Sequence, residues 1–388
     1  MTQSVVHIVH GFHIGGLEKL IVNCINKMGE QYQHTIISLT TIGDDIVQQL
    51  QYPVTMITLH KPAGNSVRLY PTIYRHLRQI QPDIVQTYNL ATIEYQCVAA
   101  AARVSVRIHA EHGRDTYDPF GKVKKYRYLR RLCACLIHRM VAVSDDLYQW
   151  LANDVGIPKK KLLLIRNGIN TDHFQPAMPL SFVKPDPDAE PDYDDIPRTE
   201  ENNVVSFPPT FTFGHVARLQ SVKNQQLLIG AYQEACRQSP TFAQDTQLVL
   251  VGDGDQRPAL EQLVVQSPPG THIHFAGSQT DMRAQYARFD AFVLSSIAEG
   301  IPLTLLESMS MGIPHIVTNV GGIGEVIIEG CTGIGVPSEN QAALTTALLE
   351  FYHQKNQLPD MGASARHRIE QDFSEHNMVE AYKSLYRA

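Results

Sequence analysis

Short runs of β-branched and other apolar residues alternate along most of this chain with longer amphipathic stretches. The alternation begins with the apolar run 4–10 and the helical pattern 17–28, and it resumes after a gap with the run 210–215 and the helical pattern 223–237. Strands that alternate with helices form βαβ units and parallel sheets. The sequence therefore predicts two doubly wound α/β domains facing a cleft, in which ligands bind at the carboxyl ends of the strands.

The same alternation sets the expected strands and the main helices. The first series predicts strands at 4–10, 34–39, 54–59, 83–86, 105–110, 140–143 and 162–166, and helices at 17–28, 70–79, 94–102 and 123–139. The second series predicts a helix at 223–237 and strands at 210–215, 247–251, 272–276, 291–294 and 315–318.

An acidic, proline-rich segment separates the two series. Residues 186–201 carry eight acidic side chains and one arginine, and prolines are frequent between 176 and 209. Prolines cannot join a helix interior and like charges repel, so we expect an extended linker or insertion, with a binding tail as the alternative. We place an N-terminal Rossmann-like domain at 1–178, the acidic linker at 179–208 and a C-terminal Rossmann-like domain at 209–388, with a last helix able to pack back on the first domain.

Composition narrows the class of protein. The chain has a formal net charge of −6, and the acidic segment accounts for that imbalance, so the rest is close to neutral and lacks the basic character of a nucleic-acid-binding protein. Six cysteines in 388 residues indicate a reducing compartment, not a disulfide scaffold. The amino terminus does not resemble a signal peptide, and no window approaches ~18 uninterrupted apolar residues. We expect a soluble, cytoplasmic globular protein.

The strongest chemical signal is the segment 299–314, EGIPLTLLESMSMGIP, which follows the apolar run 291–296. Pro302 suits the first turn of a helix, whose free N–H groups would point into the cleft and form a phosphate site. The carboxylate of Glu307, about a turn and a half into this helix, can accept both hydroxyls of a ribose cis-diol, and Glu299 can meet another part of the same ligand. The alternative is that one glutamate is simply stabilised by the helix dipole in the first turn and that the other is a solvated surface residue.

Two basic residues and a glycine turn precede that segment. Arg218 and Lys223 lie between a predicted strand and a predicted helix, where two cations can neutralise a diphosphate, although solvated surface bases are the alternative. Asp253-Gly254-Asp255 has the spacing of a metal-binding pair, but a glycine turn at a strand end needs no metal. We therefore expect no metal there.

The first half offers glycines and a cluster of ionisable groups. Gly15 and Gly16 follow the first strand and permit close backbone approach to a ligand, but they lack the spacing of a dinucleotide fingerprint. Residues 109–115, HAEHGRD, place five ionisable groups at the end of a strand. A buried, hydrogen-bonded histidine and a functional one are equally compatible with that pattern.

Taken in order, these motifs resemble the family 4 glycosyltransferases, which are retaining enzymes of the GT-B fold. The resemblance covers nearly the whole chain apart from the acidic linker. It rests on Gly15-Gly16-x-Glu18, Ser144, NGINTDHF at 167–174, Arg218 with Lys223, Gly252-Asp-Gly254, Glu299 with Glu307, and Gly321-Gly322 with Glu325. The segments 10–19, 59–64, 111–115 and 143–147 look most like the sugar transferases associated with PEP-CTERM/exosortase exopolysaccharide systems.

The resemblance implies a role for each matching residue. Glu307 would bind the ribose, and Arg218, Lys223 and Gly16 would bind the diphosphate. Glu299 and the backbone of the turn would hold the donor sugar, and His112 would contact that sugar near the reacting carbon. The turn residues are Gly300, Ile301, Pro302 and Leu303, and the acceptor-side candidates are His109, Arg114 and Asp115.

The mechanism implied by the family uses no enzymic nucleophile, no cofactor and no metal. The leaving phosphate takes the acceptor's proton on the same face, while the protein positions the substrates and stabilises charge. The sequence departs from the family pattern at Asn170, where aspartate is usual, and at Ser308, where alanine is usual.

A basic helix bears on the acceptor. Six lysines and arginines fall between Lys122 and Arg131, and apolar residues recur at helical spacing through 122–139. One interpretation is peripheral docking on the anionic inner face of a membrane, next to a lipid-linked acceptor. The other is an ordinary helix that faces the core and has a solvated basic side.

Three other functions fit parts of the pattern. A sugar-nucleotide epimerase or hydrolase would use the same scaffold. A nicotinamide-dependent oxidoreductase would need a glycine fingerprint with an acidic residue about 20 positions later, which neither half has. A catalytically inactive scaffold is disfavoured because Arg218, Lys223, Glu299 and Glu307 occur together. The sequence identifies neither the sugar, the nucleotide base, the acceptor nor the oligomeric state.

Overall fold

The computed structural model describes residues 2–64, 67–115, 117–176 and 210–387. The predicted linker at 179–208, with both of its boundaries, lies outside these residues. The described chain forms two parallel sheets, one on each side of that segment.

The first sheet has seven strands in the order β3-β2-β1-β4-β5-β6-β7. Its elements are β1 Gln3–Val9, α1 Gly16–Met28, β2 Tyr32–Ser38, α2 Asp44–Val47, β3 Thr55–Thr58, α3 Leu69–Ile80, β4 Ile84–Tyr88, α4 Asn89–Ile93, α5 Tyr95–Ala101, β5 Val106–Glu111, α6 Lys124–Cys133, β6 Arg139–Ala142, α7 Asp145–Gln149 and β7 Leu162–Leu164. β1 lies between β2 and β4, so the strand order reverses at β1 and opens a crevice at its carboxyl end.

The second sheet has six strands in the order β10-β9-β8-β11-β12-β13. Its elements are β8 Phe211–Val216, α8 Gln225–Gln238, α9 Pro240–Asp245, β9 Thr246–Val251, α10 Arg257–Val265, β10 Ile273–Gly277, α11 Met282–Tyr286, β11 Ala291–Leu294, α12 Leu303–Ser310, β12 His315–Thr318, α13 Ile323–Val326, β13 Gly333–Val336, α14 Gln341–His353, α15 Leu358–Asp372 and α16 Glu375–Arg387. The order reverses at β8, between β9 and β11.

The cores explain why strands and helices alternate. Strands such as β4 and β8 are buried along their whole length, which suits a parallel sheet covered by helices on both faces. One apolar cluster runs through both domains, from β1 and α1 in the first to α12 in the second. The two domains therefore share apolar packing beside the cleft.

The last helix, α16, leaves the second domain and packs on the first. Tyr386 forms an edge-to-face contact with Tyr32, with ring centroids 5.5 Å apart, and its hydroxyl donates to Gln86 at 2.5 Å. Glu375, at the start of α16, lies 3.4 Å from the ammonium group of Lys27 on α1. These contacts hold the end of the second half of the chain against the first sheet.

The basic helix differs from its prediction in length and in the contacts of two side chains. α6 ends at Cys133. Lys161 caps this end, because its ammonium group donates to the carbonyls of Ala134 and Ile137. Arg130 is 1% exposed and pairs with Glu111, while Arg127 pairs with Asp154. Arg130 therefore faces inward, because the buried carboxylate of Glu111 requires a cationic partner, whereas Arg127 is held in an ion pair with the half-exposed Asp154.

Within the described residues, no helix is long and apolar enough to cross a membrane.

Candidate active site

Arg218 reaches across the cleft to the glycine loop of the first domain. It follows β8, and its Nη2 donates to the carbonyl of Ile14 at 3.1 Å. A Cβ on Gly15 would collide with this guanidinium and with the carboxylate of Glu18, so the two side chains converge on Gly15. The loop after β1 and the loop after β8, 203 residues apart in sequence at Gly15 and Arg218, thus form one site.

Two helix N-termini meet beside Arg218. α1 begins at Gly16 and α12 at Leu303, and a Cβ on Gly16 would lie 3.9 Å from Cγ of Leu303. The residues before them, Gly15 and Pro302, make no side-chain hydrogen bond to the first turn of either helix. The carboxylate of Glu18 accepts its own backbone N–H, while the N–H groups before it in α1 and those at the start of α12 are left for a ligand, and both helix dipoles favour an anion at this point.

Lys223 and Glu299 form an ion pair on the second-domain wall of the cleft. Their Nζ and Oε1 atoms are 2.5 Å apart, and the hydroxyl of Ser296 donates to the same oxygen at 2.7 Å. The side chain of Lys223 is 22% exposed and that of Glu299 is 9% exposed. Because an ammonium carries three N–H bonds, Lys223 can keep Glu299 and still donate to a phosphate.

Glu307 lies on α12 with one oxygen already engaged. Its Oε2 accepts a hydrogen bond of 2.7 Å from the hydroxyl of Tyr286, and the residue is 3% exposed. Burial and the neighbouring carboxylate raise the pKa of Tyr286, so its phenol stays protonated and donates. A carboxylate oxygen has two lone pairs, so this bond orients Glu307 and leaves acceptor capacity for ribose hydroxyls.

His112 stands opposite, at the carboxyl end of β5. Its backbone N–H donates to Oδ1 of Asn89 at 2.7 Å, and its carbonyl faces Gly300, where a Cβ would collide with it. Burial lowers the pKa of His112 to about 4, so the ring is neutral at pH 7. In the described part of the chain its Nε2 is buried without a hydrogen-bond partner, so this nitrogen has an unused capacity to bond a ligand in the cleft.

The turn before α12 is held by glycines and by the first domain. Gly321 has a φ of +53°, and a Cβ there would collide with the carbonyl of Glu299. The carbonyl of Ile301 accepts a bond of 2.8 Å from the side chain of Asn167. Pro302 lies directly before the helix and not in its first turn as predicted, and because it has no N–H it contributes no hydrogen-bond donor to this turn.

The structure places the three acceptor-side candidates in contacts within the protein. His109 is 0% exposed, with its Nδ1 2.8 Å from the hydroxyl of Thr87 and its Nε2 3.2 Å from Glu111, so it is a core histidine and cannot touch an acceptor directly. Arg114 pairs with Asp146 at 2.8 Å and Asp115 with Arg130 at 2.9 Å.

Asp253 and Asp255 do not form a metal site with a third metal-binding side chain in the described residues. Asp253 pairs with Arg257 at 3.0 Å and accepts a bond from the N–H of Gly254. Across the residues that the structure describes, there is no group of three or more histidine, cysteine, aspartate or glutamate side chains able to hold a metal ion.

Three residues that position the site escape sequence reasoning. Tyr286 orients Glu307, Ser296 orients Glu299, and Asn89 holds the backbone of His112. Asn89 directly follows the buried strand β4, and Ser296 lies two residues after the buried strand β11, so both positions are a usable signal for the cleft edge. Tyr286 lies on α11, 21 residues before Glu307, and no local pattern connects the two.

This fold and cleft define the class of protein, a GT-B glycosyltransferase. Residues 14–173 match the family model described as Glycosyltransferase Family 4, and residues 198–368 match the model described as Glycosyl transferases group 1. The two matched ranges together cover most of the chain, so its two halves are similar to the two domains of the family 4 glycosyltransferases of GT-B fold.

Individual relatives agree with this assignment. The N-acetyl-alpha-D-glucosaminyl L-malate synthase of Bacillus anthracis is 29% identical over 172 residues, which is 44% of each chain. The UDP-Gal:alpha-D-GlcNAc-diphosphoundecaprenol alpha-1,3-galactosyltransferase of Escherichia coli is 25% identical over 354 residues, or 90% of this chain and 86% of that protein. Among solved structures, Anabaena HepE in complex with UDP superimposes with a TM-score of 0.77 at 16% identity and covers 99% of both chains, which supports the fold.

Proposed function

We propose that the protein is a retaining hexosyltransferase that moves a sugar from a nucleoside-diphosphate donor to a glycan or lipid-linked acceptor, without a bound metal or cofactor. The observation that carries this proposal is the convergence of two uncapped helix N-termini with Arg218 at one point of the cleft. That arrangement is suited to a diphosphate. Glu307 is the fifth residue of α12, roughly 6 Å along the helix axis from its first residue, which is a distance suited to the adjoining ribose.

The donor sugar then occupies the space between Glu299 and His112. Glu299 is fixed by Lys223 and Ser296, so its carboxylate can accept from sugar hydroxyls in one orientation. The neutral ring of His112 offers an unpartnered Nε2 from the other domain. Hydrogen bonds from both sides hold the sugar near the reacting geometry.

The chemical step develops negative charge on the departing diphosphate. Arg218, Lys223 and the two helix N-termini lie where that charge forms, so they stabilise the transition state more than the ground state. The acceptor hydroxyl attacks the anomeric carbon from the face that the diphosphate leaves, and its proton passes to the departing phosphate oxygen. The configuration at the anomeric carbon is retained.

The acceptor assignment rests on the relatives and on the resemblance in sequence. The E. coli relative acts, by its name, on a sugar carried by diphosphoundecaprenol. We extend this to a glycan or lipid-linked acceptor in exopolysaccharide or related glycan biosynthesis, of the kind found with PEP-CTERM/exosortase systems. The enzyme would then work in the cytoplasm, at the inner face of the membrane.

Donor binding provides the direct test. Thermal shift with UDP-, GDP- and ADP-sugars, NAD and NADP, with and without EDTA, should give stabilisation by one nucleotide sugar that EDTA does not remove. A ligand at a hundredfold excess over its dissociation constant contributes about 2.7 kcal/mol. Stabilisation by NAD alone, or a nucleotide-sugar shift that EDTA abolishes, would contradict the proposal.

Variants then test the residue roles. Arg218→Ala and Glu307→Ala should remove the shift and the turnover while the far-ultraviolet circular dichroism stays unchanged. Arg237→Ala, which changes an arginine that is 50% exposed on α8, is the matched control. Sugar release without acceptor would favour the epimerase or hydrolase, and NMR of the product anomer would decide between retention and inversion.

A further inference from the structure

The outer side of α6 exposes a row of large apolar side chains. Tyr128, Leu132 and Leu136 recur every four residues, so they lie along one side of the helix and its last turn, and they are 67%, 71% and 38% exposed. The opposite side is buried, with Cys133 and Ile137 in an apolar core cluster. A helix of a soluble domain normally presents polar side chains on the side away from its core.

Cations flank this row and acids are absent from its sequence. Between residues 119 and 139 the chain has seven lysines and arginines and no aspartate or glutamate. Arg130 turns inward to Glu111, Arg127 pairs with the half-exposed Asp154, and the other five are exposed. The exposed bases are Lys122, Lys124, Lys125, Arg131 and Arg139.

A basic pocket continues the row at its far end. Leu136 and Cys135 form one wall of a cavity of about 400 Å³, and the remaining wall includes Arg107, Arg139 and Lys160. Five of its eight lining residues are arginine, lysine or histidine, and among these described lining residues none is acidic. Partial burial and the charges of Arg107, Lys161 and Arg139 lower the pKa of His138, which agrees with an unneutralised positive potential.

The contacts in the pocket indicate which cations are available to a ligand. Arg107 donates to the carbonyls of Leu136 and Val104, and Lys161 caps the end of α6. These two hold the end of the row rigidly. Lys160 and Arg139 are exposed and supply charge at the surface.

The topology relates this surface to the cleft. α6 connects the carboxyl end of β5 to the amino end of β6, so its first turn lies at the cleft edge and its last turn at the opposite edge of the sheet. Phe120, in the loop that enters α6 eight residues after His112, is 56% exposed. The apolar row therefore runs from the middle of α6, at Tyr128, away from the cleft to the basic pocket, while Phe120 and the first turn of α6 lie at the cleft edge.

We propose that this surface, the row Tyr128, Leu132 and Leu136 with the flanking bases and the basic pocket, docks on a bilayer that contains anionic phospholipid. The lipid surface fits because it offers both partners at once, an acyl boundary for the apolar row and phosphates for the cations on both sides. The inference rests on the proposed function, since a bilayer lying along the whole of α6 would also reach the first turn of this helix at the cleft edge, where a lipid-linked acceptor would enter.

Vesicle cosedimentation of the full chain tests the inference. We expect binding to vesicles of phosphatidylcholine mixed with phosphatidylglycerol, weak binding to phosphatidylcholine alone, and loss of binding at high salt because charges at a surface are screened. Leu132→Glu removes the apolar contact, and Lys160→Glu with Arg139→Glu reverses charge at the pocket. Each should lower the partition coefficient by about tenfold or more.

The second domain supplies matched controls. Val265→Glu changes an apolar residue that is 86% exposed on α10, and Arg288→Glu reverses an exposed charge. Both should bind vesicles like the wild type. Equal binding to neutral and anionic vesicles, or equal losses in the control variants, would overturn the proposal.

Nucleotide-sugar thermal shifts distinguish a failure of this inference from a failure of the proposed function, and sedimentation velocity distinguishes a bilayer from a second copy of the chain on this surface. Nucleotide-sugar thermal shifts should be unchanged in all four variants; normal shifts without vesicle binding would overturn the docking surface alone. Vesicle binding without any nucleotide-sugar shift would overturn the proposed function alone. Sedimentation velocity that shows a wild-type dimer converted to monomer by Leu132→Glu, without vesicle binding, would assign the row to a second copy of the chain.

Discussion

Individual side chains in the cleft owe their chemistry to the groups that hold them. Glu307 is oriented by one phenol, and His112 is kept neutral by burial and fixed through its backbone to Asn89. Hydrogen bonds to a charged group are worth about 1.5–3 kcal/mol, more than most neutral ones. The positioning groups are therefore as testable as the residues expected to touch substrate.

Tyr286→Phe should weaken donor binding by about tenfold with little change in kcat. The substitution removes the 2.7 Å bond to Oε2 of Glu307 and keeps the ring in place. Tenfold corresponds to 1.4 kcal/mol, the lower end of the range for a bond to a carboxylate. Because the nucleotide is bound equally in ground and transition states, the loss should appear in KM for the donor.

Tyr352→Phe is the matched control for that measurement. Its hydroxyl donates to Asp245 at 2.5 Å, also a phenol–carboxylate bond, but outside the cleft. It should leave the donor KM unchanged. An equal rise of KM in both variants, or a fall in kcat alone for Tyr286→Phe, would contradict a positioning role.

His109 and His112, three residues apart, show that the sequence does not tell which histidine of a strand-end cluster faces the cleft. His109 and His112 both belong to the predicted strand-end cluster, yet His109 is wholly buried and His112 lies at the cleft. Side chains alternate between the two faces of a strand, so His109 shares a face with Glu111 and bonds to it. The sequence locates the strand end but does not identify which face a neighbouring helix will cover.

Strand β5 and helix α6 are joined by a buried ion cluster beneath the His112 loop. Arg130 donates to Glu111 at 2.6 Å and to Asp115 at 2.9 Å, and its guanidinium lies 4.9 Å from the centre of the Trp150 ring. Burial alone would raise the pKa of Glu111, but the charge of Arg130 and the bond to His109 together lower it to about 2. The cluster thus connects α6 to the loop that carries His112.

Arg130→Met should lower the free energy of unfolding at pH 7 by about 3–5 kcal/mol, because it leaves a buried carboxylate without its partner. The double variant Arg130→Met with Glu111→Gln should recover part of the loss. Thermal or urea denaturation measures both, with the exposed Arg237→Met as a control that should not change. A single variant as stable as the wild type would contradict the buried pair.

The same pair predicts a pH dependence with a defined sign. The folded pKa of Glu111, about 2, is below its ordinary 4.5, so its contribution is complete above pH 4.5 and disappears as the pH falls toward 2. The stability difference between the wild type and the double variant should therefore narrow over that range. A difference that stays constant from neutral pH down to pH 3 would contradict the shifted pKa.

Elements were more predictable than contacts, and the exceptions have physical causes. β11 and β12 have the predicted bounds because they are short apolar runs between turn signals. β13, Gly333–Val336, was not predicted because two of its four residues are glycine, which weakens any strand pattern. The predicted helix 123–139 ends at Cys133, and the carbonyls of Ala134 and Ile137 beyond it are bonded by Lys161 from a later segment, a contact that no local pattern contains.

The arrangement of the two domains depends on contacts that no local pattern contains. Glu325, on α13, accepts the backbone N–H groups of Asp145 and Asp146 at 2.8 and 2.9 Å, so the second domain caps a helix of the first. Asn167 bridges to the carbonyl of Ile301 in the same way. The sequence predicts two domains and a cleft, while the closeness of the walls is set by these pairings.

Gly300→Ala should separate the cleft walls without unfolding either domain. At Gly300 a Cβ would collide with the backbone carbonyl of His112, an atom that can move only with its strand end. The transfer rate should fall by tenfold or more, since a displacement of about 1 Å in a reacting geometry costs on the order of a hundredfold. The nucleotide thermal shift should become smaller but persist, because the N-terminus of α1 moves away while Arg218, Lys223 and Glu307 remain together in the second domain.

Gly230→Ala is the control for that substitution. Gly230 lies within α8, and its nearest neighbour for a new Cβ is the flexible end of Gln341, so the change should be neutral or slightly stabilising. Small-angle scattering should give a larger radius of gyration for Gly300→Ala and an unchanged one for Gly230→Ala. Wild-type transfer by Gly300→Ala would show that His112 need not approach the 299–303 turn, and the donor sugar would then have to be held by the second domain alone.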